Sequence, residues 1–254
     1  MEDRCGQVAA KTGGARGLMA GLGRILFPHF CVGCGREGEI LCRGCQEEIS
    51  APLKGVFSCP GCGRATPLGL ACSEACRRRS GLDGAAAMAP YGHPALRQLL
   101  RAYKYEGVAE AGAALAAIFG AFLQRQRAVF GPAAAGAAVV PVPLHFFRLA
   151  RRGFNQADLF AEALARTCGR PVAGRLLRRR FRFAAQASLA SPERRRLNAR
   201  GSVELRPGAS VPGACVLVDD VFTTGSTAAD CARVLRAAGT SRVWIVTLLR
   251  GQRS

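Results

Sequence analysis

The chain has 254 residues, enough for one α/β domain with a small appendage, and none of its apolar stretches approaches the ~18 residues a membrane helix needs. A formal net charge of +19 and a pI near 10.6 suit a polyanionic partner such as nucleic acid or a multiply phosphorylated substrate. Only three of the 36 basic residues are Lys, and a composition biased to Arg, Ala and Gly would raise the charge without any such partner. The ten arginines between Arg170 and Arg200, set against the single acid Glu193, exceed that background. Aromatics that could stack on bases do not alternate with these charges, so sequence-specific recognition is unsupported.

Residues 1–24 carry scattered charges and glycines but no continuous apolar core. They read as a mobile tail rather than a signal peptide, which predicts a soluble, cytoplasmic protein with no membrane insertion. Residues 25–80 hold eight of the twelve cysteines, in pairs. Cys31-x-x-Cys34 is followed by Cys42-x-x-Cys45, and Cys59-x-x-Cys62 by Cys72-x-x-x-Cys76. Four thiolates satisfy a tetrahedral zinc, and a two-residue gap lets both sulfurs of a knuckle reach one ion. Gly33, Gly35, Gly61 and Gly63 let backbone N–H groups turn towards sulfur. Disulfides are the alternative, but a cytosolic chain argues against them. The spacing predicts a double zinc ribbon over 25–80, too short and polar to fold without metal, and leaves open whether successive or interleaved pairs share an ion. A redox sensor that loses zinc on oxidation is a weaker reading of the same cysteines. Cys5, Cys168, Cys215 and Cys231 lack the partners of a catalytic thiol, and Cys231 falls at core spacing with Val234, Leu235 and Ala238.

Beyond Arg77-Arg78-Arg79, residues 81–254 alternate strands with helices. A strand is predicted over Ala85–Tyr91, then a helix opened by His93-Pro94 and running through about Ala102, with Leu96, Leu99 and Leu100 inward. Tyr103-Lys104-Tyr105 ends it before Gly107. A second helix covers about Val108–Arg127, and the Ala/Gly-rich stretch 131–138 reads as a loop. Val139–Leu144 forms a short strand ending near Pro141, because proline cannot donate to a ladder. A helix follows to about Cys168, with Leu159, Phe160, Ala163 and Leu164 inward. The segment 178–200 reads as a loop, and a strand lies near Ser202–Leu205. The apolar run Cys215–Val218 is a buried strand, a helix extends to Ala238 with Gly239 as its cap, and Arg242–Leu249 is the last strand. This alternation predicts a mainly parallel sheet flanked by helices.

Asp219 and Asp220 sit where the buried strand leaves the sheet, the crevice in which open α/β folds bind ligands. Thr223, Thr224, Gly225, Ser226 and Thr227 supply hydroxyls and a glycine before a helix whose N–H groups and dipole favour an anion. Either half alone is an ordinary turn or N-cap; the combination is rarer. Residues 215–227 resemble the phosphoribosyl-pyrophosphate motif of type I phosphoribosyltransferases. That resemblance implies that Asp219 and Asp220 hold the ribose hydroxyls and Thr223–Thr227 wrap the 5′-phosphate.

Further landmarks are Leu26–Cys31, Pro141-Val142-Pro143-Leu144, Arg152–Gln156, Gln186, and Glu193-Arg194-Arg195 with Asn198. With the ribbons and the 215–227 motif, they make about residues 25–250 similar to the ComF family, also described as amidophosphoribosyltransferase-like or GntX-type. The resemblance implies a double zinc ribbon on a type I phosphoribosyltransferase domain, Mg²⁺ accompanying phosphoribosyl pyrophosphate, and a role in handling incoming single-stranded DNA with DNA-uptake proteins. It places a pyrophosphate-binding loop at 141–152, where Arg148, Arg151 and Arg152 supply charge in bidentate geometry. It makes 178–200, with Gln186, Arg194, Arg195 and Asn198, the candidate lid that excludes water. Asn155 and Gln156 read equally as N-capping or ligand contacts. Phosphoribosyl transfer passes through an oxocarbenium-like ribose, so positioning and leaving-group stabilisation are required and no side-chain nucleophile is expected. Among His29, His93 and His145, only His145 lies in the proposed loop. A non-catalytic adaptor that binds single-stranded DNA and uses the pocket as a ligand sensor is the competing reading.

Overall fold

The computed structural model describes residues 29–180 and 201–251. The expected tail and the lid candidates Gln186, Arg194, Arg195 and Asn198 lie outside the described residues. Chain order runs α1 (Arg43–Ser50), β1 (Val56–Phe57), a 3₁₀ turn (Pro67–Gly69), α2 (Glu74–Ser80), β2 (Gly84–Pro90), α3 (Pro94–Arg101) and a π-helical turn (Ala102–Glu106). It continues with α4 (Ala109–Arg125), α5 (Arg127–Ala134), β3 (Ala138–Pro141), α6 (Phe146–Arg152), α7 (Gln156–Cys168), β4 (Leu177–Arg179), β5 (Val203–Leu205), β6 (Ala214–Phe222), α8 (Ser226–Ala237) and β7 (Arg242–Arg250).

Five strands form one sheet in the order β1-β2-β7-β6-β3, parallel except for the antiparallel β1. Strands alternate their side chains between faces, and β6 serves two cores in this way. Val216 and Val218 join α3, α4, α5 and α7 on one face through Leu99, Phe119, Phe130 and Phe160. Cys215 and Leu217 join Cys231, Ala232 and Leu235 of α8 on the other. A sheet covered on both faces reads as continuous apolar runs, which is why the 215–218 segment stands out in the sequence. The mainly parallel α/β architecture is therefore as predicted, and Cys231 is a core residue.

Four elements differ from expectation. The stretch 131–138 is not all loop, because α5 runs to Ala134, with Phe130 and Ala134 buried one turn apart and alanine favouring helix. Residues 146–152 form a helix, α6, although none of its residues is buried. Leu177–Arg179 is a strand that pairs with Val203–Leu205, a partner the local pattern does not reveal. β6 extends to Phe222, so the two aspartates lie within the strand and not beyond its end, Asp219 opposite Thr247 of β7.

Candidate functional site

The cysteines form two clusters, Cys31/Cys34/Cys42/Cys45 and Cys59/Cys62/Cys72/Cys76, whose sulfurs lie within 4.8 Å of one another in each set. Successive pairs therefore share a centre and do not interleave. The first halves repeat one geometry. Cys31 N–H donates to Arg36 O and Cys59 N–H to Arg64 O, both at 2.8 Å, while Gly35 and Gly63 close back on the carbonyls of Cys31 and Cys59. At Gly33 and Gly61 a Cβ would meet Cys45 Sγ at 2.7 Å and Cys76 Cβ at 2.6 Å, so only glycine fits beside the sulfurs. The second halves differ by one residue for a visible reason. Cys42 is itself the N-cap of α1, whereas Ser73 caps α2 and accepts from Cys76 N–H, and this inserts a residue between Cys72 and Cys76.

Burial alone would raise the Cys31 thiol, but N–H groups of Cys42, Cys34 and Gly33 bring it down to about 6. Cys59 follows, held near 6 by Cys72, Cys62 and Gly61 against the same burial penalty. One thiolate in each set is stabilised in this way, while hydrogen bonding to neighbouring cysteines pushes Cys45 and Cys72 up to about 12; the closed four-sulfur sets fit two structural zinc ions.

The second centre lies at the carboxyl end of β6. Asp220 is 5% exposed and Asp219 half-buried. Their Oδ1 atoms accept from the next N–H along, that of Asp220 at 2.8 Å and that of Val221 at 2.9 Å. Burial pushes the Asp219 carboxyl up to about 7, against the pull of Lys104, Arg179 and Arg148. Lys104 reaches Asp220 Oδ2 from the π-helical turn, and burial lowers its ammonium to about 8 while Asp219 opposes the fall.

The turn after β6 brings Thr223–Thr227 together at the start of α8. Gly225 adopts φ 77°, and a Cβ there would lie 2.7 Å from the Phe222 ring. Gly225 offers no capping side chain, and Ser226 N–H turns instead to Thr224 Oγ1 at 3.4 Å. Arg250 holds the strand exit, stacked 4.2 Å from the Phe222 ring centre and donating to Phe222 O at 3.3 Å.

Arg148, Arg151 and Arg152 lie on α6. Arg148 and Arg151 are exposed and together depress the half-buried Arg152, after burial itself. Arg152 bonds the buried Gln156 and sits 5.6 Å above the Tyr105 ring. Asn155 both caps α7, accepting from Ala157 N–H at 3.3 Å, and donates to Val142 O at 3.1 Å, so its capping role is realised. His145 is lowered by burial and then by Arg179 and Arg148.

Two residues escaped the sequence reading. Lys104 is one of three lysines in an Arg-rich chain, and that rarity was its only signal. Arg179, inside the run Arg178–Arg180, had none. Its guanidinium joins three segments, donating to Pro143 O at 3.0 Å, Ser202 Oγ at 2.5 Å and Thr227 Oγ1 at 3.2 Å.

A mainly parallel α/β sheet with a carboxylate pair and a hydroxyl-rich turn at one strand end, together with two four-thiol centres, defines a narrow class of protein. The chain is 31% identical over 208 residues to the DNA utilization protein YhgH of Salmonella typhimurium, spanning 79% of this chain and 88% of that protein. It is 26% identical over 217 residues to Competence protein ComFC of Streptococcus pneumoniae, spanning 84% and 89%. The match to Competence protein F of Haemophilus influenzae is 35% over 114 residues, 44% of this chain and half of that protein. No family model matches the chain. It belongs to the ComF family, the relatives named for competence and DNA utilization.

Proposed function

We propose that the protein serves competence-type DNA handling in the cytoplasm alongside DNA-uptake proteins, and that it binds phosphoribosyl pyrophosphate and transfers phosphoribose to a nitrogenous acceptor. The observation that carries the ligand reading is the junction of β6 and α8. There Asp219 and Asp220 are followed within a few residues by a left-handed Gly225 and a helix start ringed by hydroxyls. Ionised carboxylates accept from a diol, and a helix start with its macrodipole accommodates a phosphate.

In this reading Asp219 and Asp220 orient the ribose, and Thr223–Thr227 anchor the 5′-phosphate. Arg148, Arg151 and Arg152 stabilise the departing pyrophosphate as charge develops on it. Mg²⁺ accompanying the ligand would neutralise further charge on that leaving group. The reading assigns no side-chain nucleophile, because the reaction is run by positioning. Gln186, Arg194, Arg195 and Asn198 are proposed as the water-excluding lid. Titration calorimetry with phosphoribosyl pyrophosphate and Mg²⁺ tests the assignment. Micromolar binding lost in Asp219→Ala plus Asp220→Ala supports it, whereas equal binding by wild type and double variant rejects it. Pyrophosphate exchange with candidate acceptors tests transfer.

A second reading, a single-stranded-DNA adaptor, is favoured by α6. Phe146 and Phe147 are 51% and 59% exposed among the arginines, and Tyr105 is 64% exposed nearby. Exposed rings interleaved with cations stack bases without sequence preference, so the aromatics missed along the sequence are assembled in space. Affinity for an oligonucleotide that is flat in salt would count against it.

A further inference from the structure

Lys104 enters the acidic centre from an element that the ligand contacts described above do not use. It lies on the π-helical turn Ala102–Glu106, a distortion frequently found at functional sites. Its two neighbours fix its direction. Tyr103 packs on Phe154 at 4.8 Å and Phe160 at 6.4 Å, and its ring lies so close to α4 that a Cβ on Gly112 would approach to 2.5 Å. Tyr105 lies under Arg152. Between them Lys104 is carried inward, its side chain 15% exposed, onto Asp220 Oδ2. It is attracted by Asp219 and repelled by Arg152 and Arg148. One ammonium therefore stands at the seam between the carboxylate pair and the arginine helix.

We propose that Lys104 is a further ligand-binding residue of this site, contacting the anomeric diphosphate of a phosphoribosyl diphosphate whose diol is held by Asp219 and Asp220. The proposal rests on the ligand reading given above. Its warrant is covalent geometry. The diphosphate is attached through the C1 oxygen and the diol begins at C2, the neighbouring ring carbon. A cation touching Asp220, one of the two carboxylates that take the diol, is therefore adjacent to the diphosphate oxygens. The 5′-phosphate leaves the opposite side of the ring and falls to the Thr223–Thr227 turn. Lysine chemistry suits the seam, because an ammonium has three donors on a flexible stem. It can keep one N–H on Asp220 and present the others to phosphate oxygens.

Calorimetry on the full zinc-loaded chain separates this role from a structural one. Two probes are titrated, phosphoribosyl diphosphate with Mg²⁺ and ribose 5-phosphate, which lacks the anomeric diphosphate. Lys104→Gln is expected to weaken the first about 10- to 100-fold, the worth of one charge-assisted contact, and the second by less than about 3-fold. Lys104→Arg is expected to recover most of the lost diphosphate affinity. Equal losses on both probes, or no loss on the diphosphate, overturn the proposal. If wild type binds neither probe, the ligand reading itself has failed, and the wild-type titrations alone reveal it. Should Lys104→Gln not fold, as judged by zinc content and thermal midpoint, Lys104→Gln plus Asp220→Asn removes both buried charges. It is then compared with Asp220→Asn alone, and a selective loss on the diphosphate probe supports the contact while an equal one overturns it.

Discussion

Replacing Asp230 by Asn should release the β4–β5 hairpin from α8. Asp230 is 4% exposed and gathers five donors. Oδ2 accepts from Ser202 N–H at 2.8 Å, Ser202 Oγ–H at 3.0 Å and Val203 N–H at 3.0 Å. Oδ1 accepts from Gly201 N–H at 2.9 Å and from Arg233. An amide keeps one acceptor oxygen and turns an NH₂ against the other donors. Hydrogen bonds to a charged group contribute about 1.5–3 kcal/mol each and do not add. Two or three losses on one oxygen, with the Arg233 partner discounted for solvent exposure, come to about 3 kcal/mol. That is roughly a 150-fold rise in the opening equilibrium of the hairpin, read by native-state hydrogen exchange at Ser202 and Val203. Amides of Val216–Val218, in the sheet centre, should change far less. Because Ser202 Oγ also accepts from Arg179, the opened hairpin should loosen Arg179 from Thr227 as well. The Asp230 carboxyl is depressed, with its hydrogen bonds and Arg233 outweighing burial. Its stabilisation is therefore complete above the unfolded value of about 3.9 and lost as pH falls through the lower folded one. Exchange at Val203 rising less than about 5-fold, or rising equally in the sheet centre, would refute this account.

Each thiol cluster should hold one zinc independently of the other. Wild type should bind two equivalents by metal analysis, and Cys34→Ser and Cys62→Ser should each retain about one. Gly225→Ala should cost about 1–3 kcal/mol, from its positive φ and the contact with Phe222, lowering the thermal midpoint and weakening phosphoribosyl pyrophosphate at least 10-fold by calorimetry. With the Asp219 carboxyl raised to about 7, the acceptor form is lost as pH falls from 8 to 6. Ligand affinity should weaken over that range in wild type, and the extra pH dependence should vanish in Asp219→Asn.

The features legible in the sequence were those carried by local pattern. The run Cys215–Val218 revealed its strand because both faces are buried, and the inward positions of α3 and α7 followed helical spacing. The cysteine pairs announced two metal centres, but their grouping needed the fold. Asp219 and Asp220 hid the end of β6, since the ladder with β7 continues beneath polar side chains. β4 exists only by pairing with β5 across more than twenty residues, so no local signal marks it or Arg179. Lys104 was passed over because a π-helical turn, not a sequence motif, delivers it to Asp220.

The first thiol cluster is continuous with the core beneath the sheet, because Cys31, Leu41, Cys45 and Leu53 share an apolar cluster with Leu115, Phe119 and Phe122 of α4. Arg125 of α4 also donates to Ser50 O at the end of α1. A metal that binds only the folded form adds RT ln(1 + [Zn²⁺]/Kd) to folding stability. The stability of the helical layer supporting Lys104 is thereby linked to the concentration of free zinc, and chelator strength becomes a control variable for a site built from other elements on the same core.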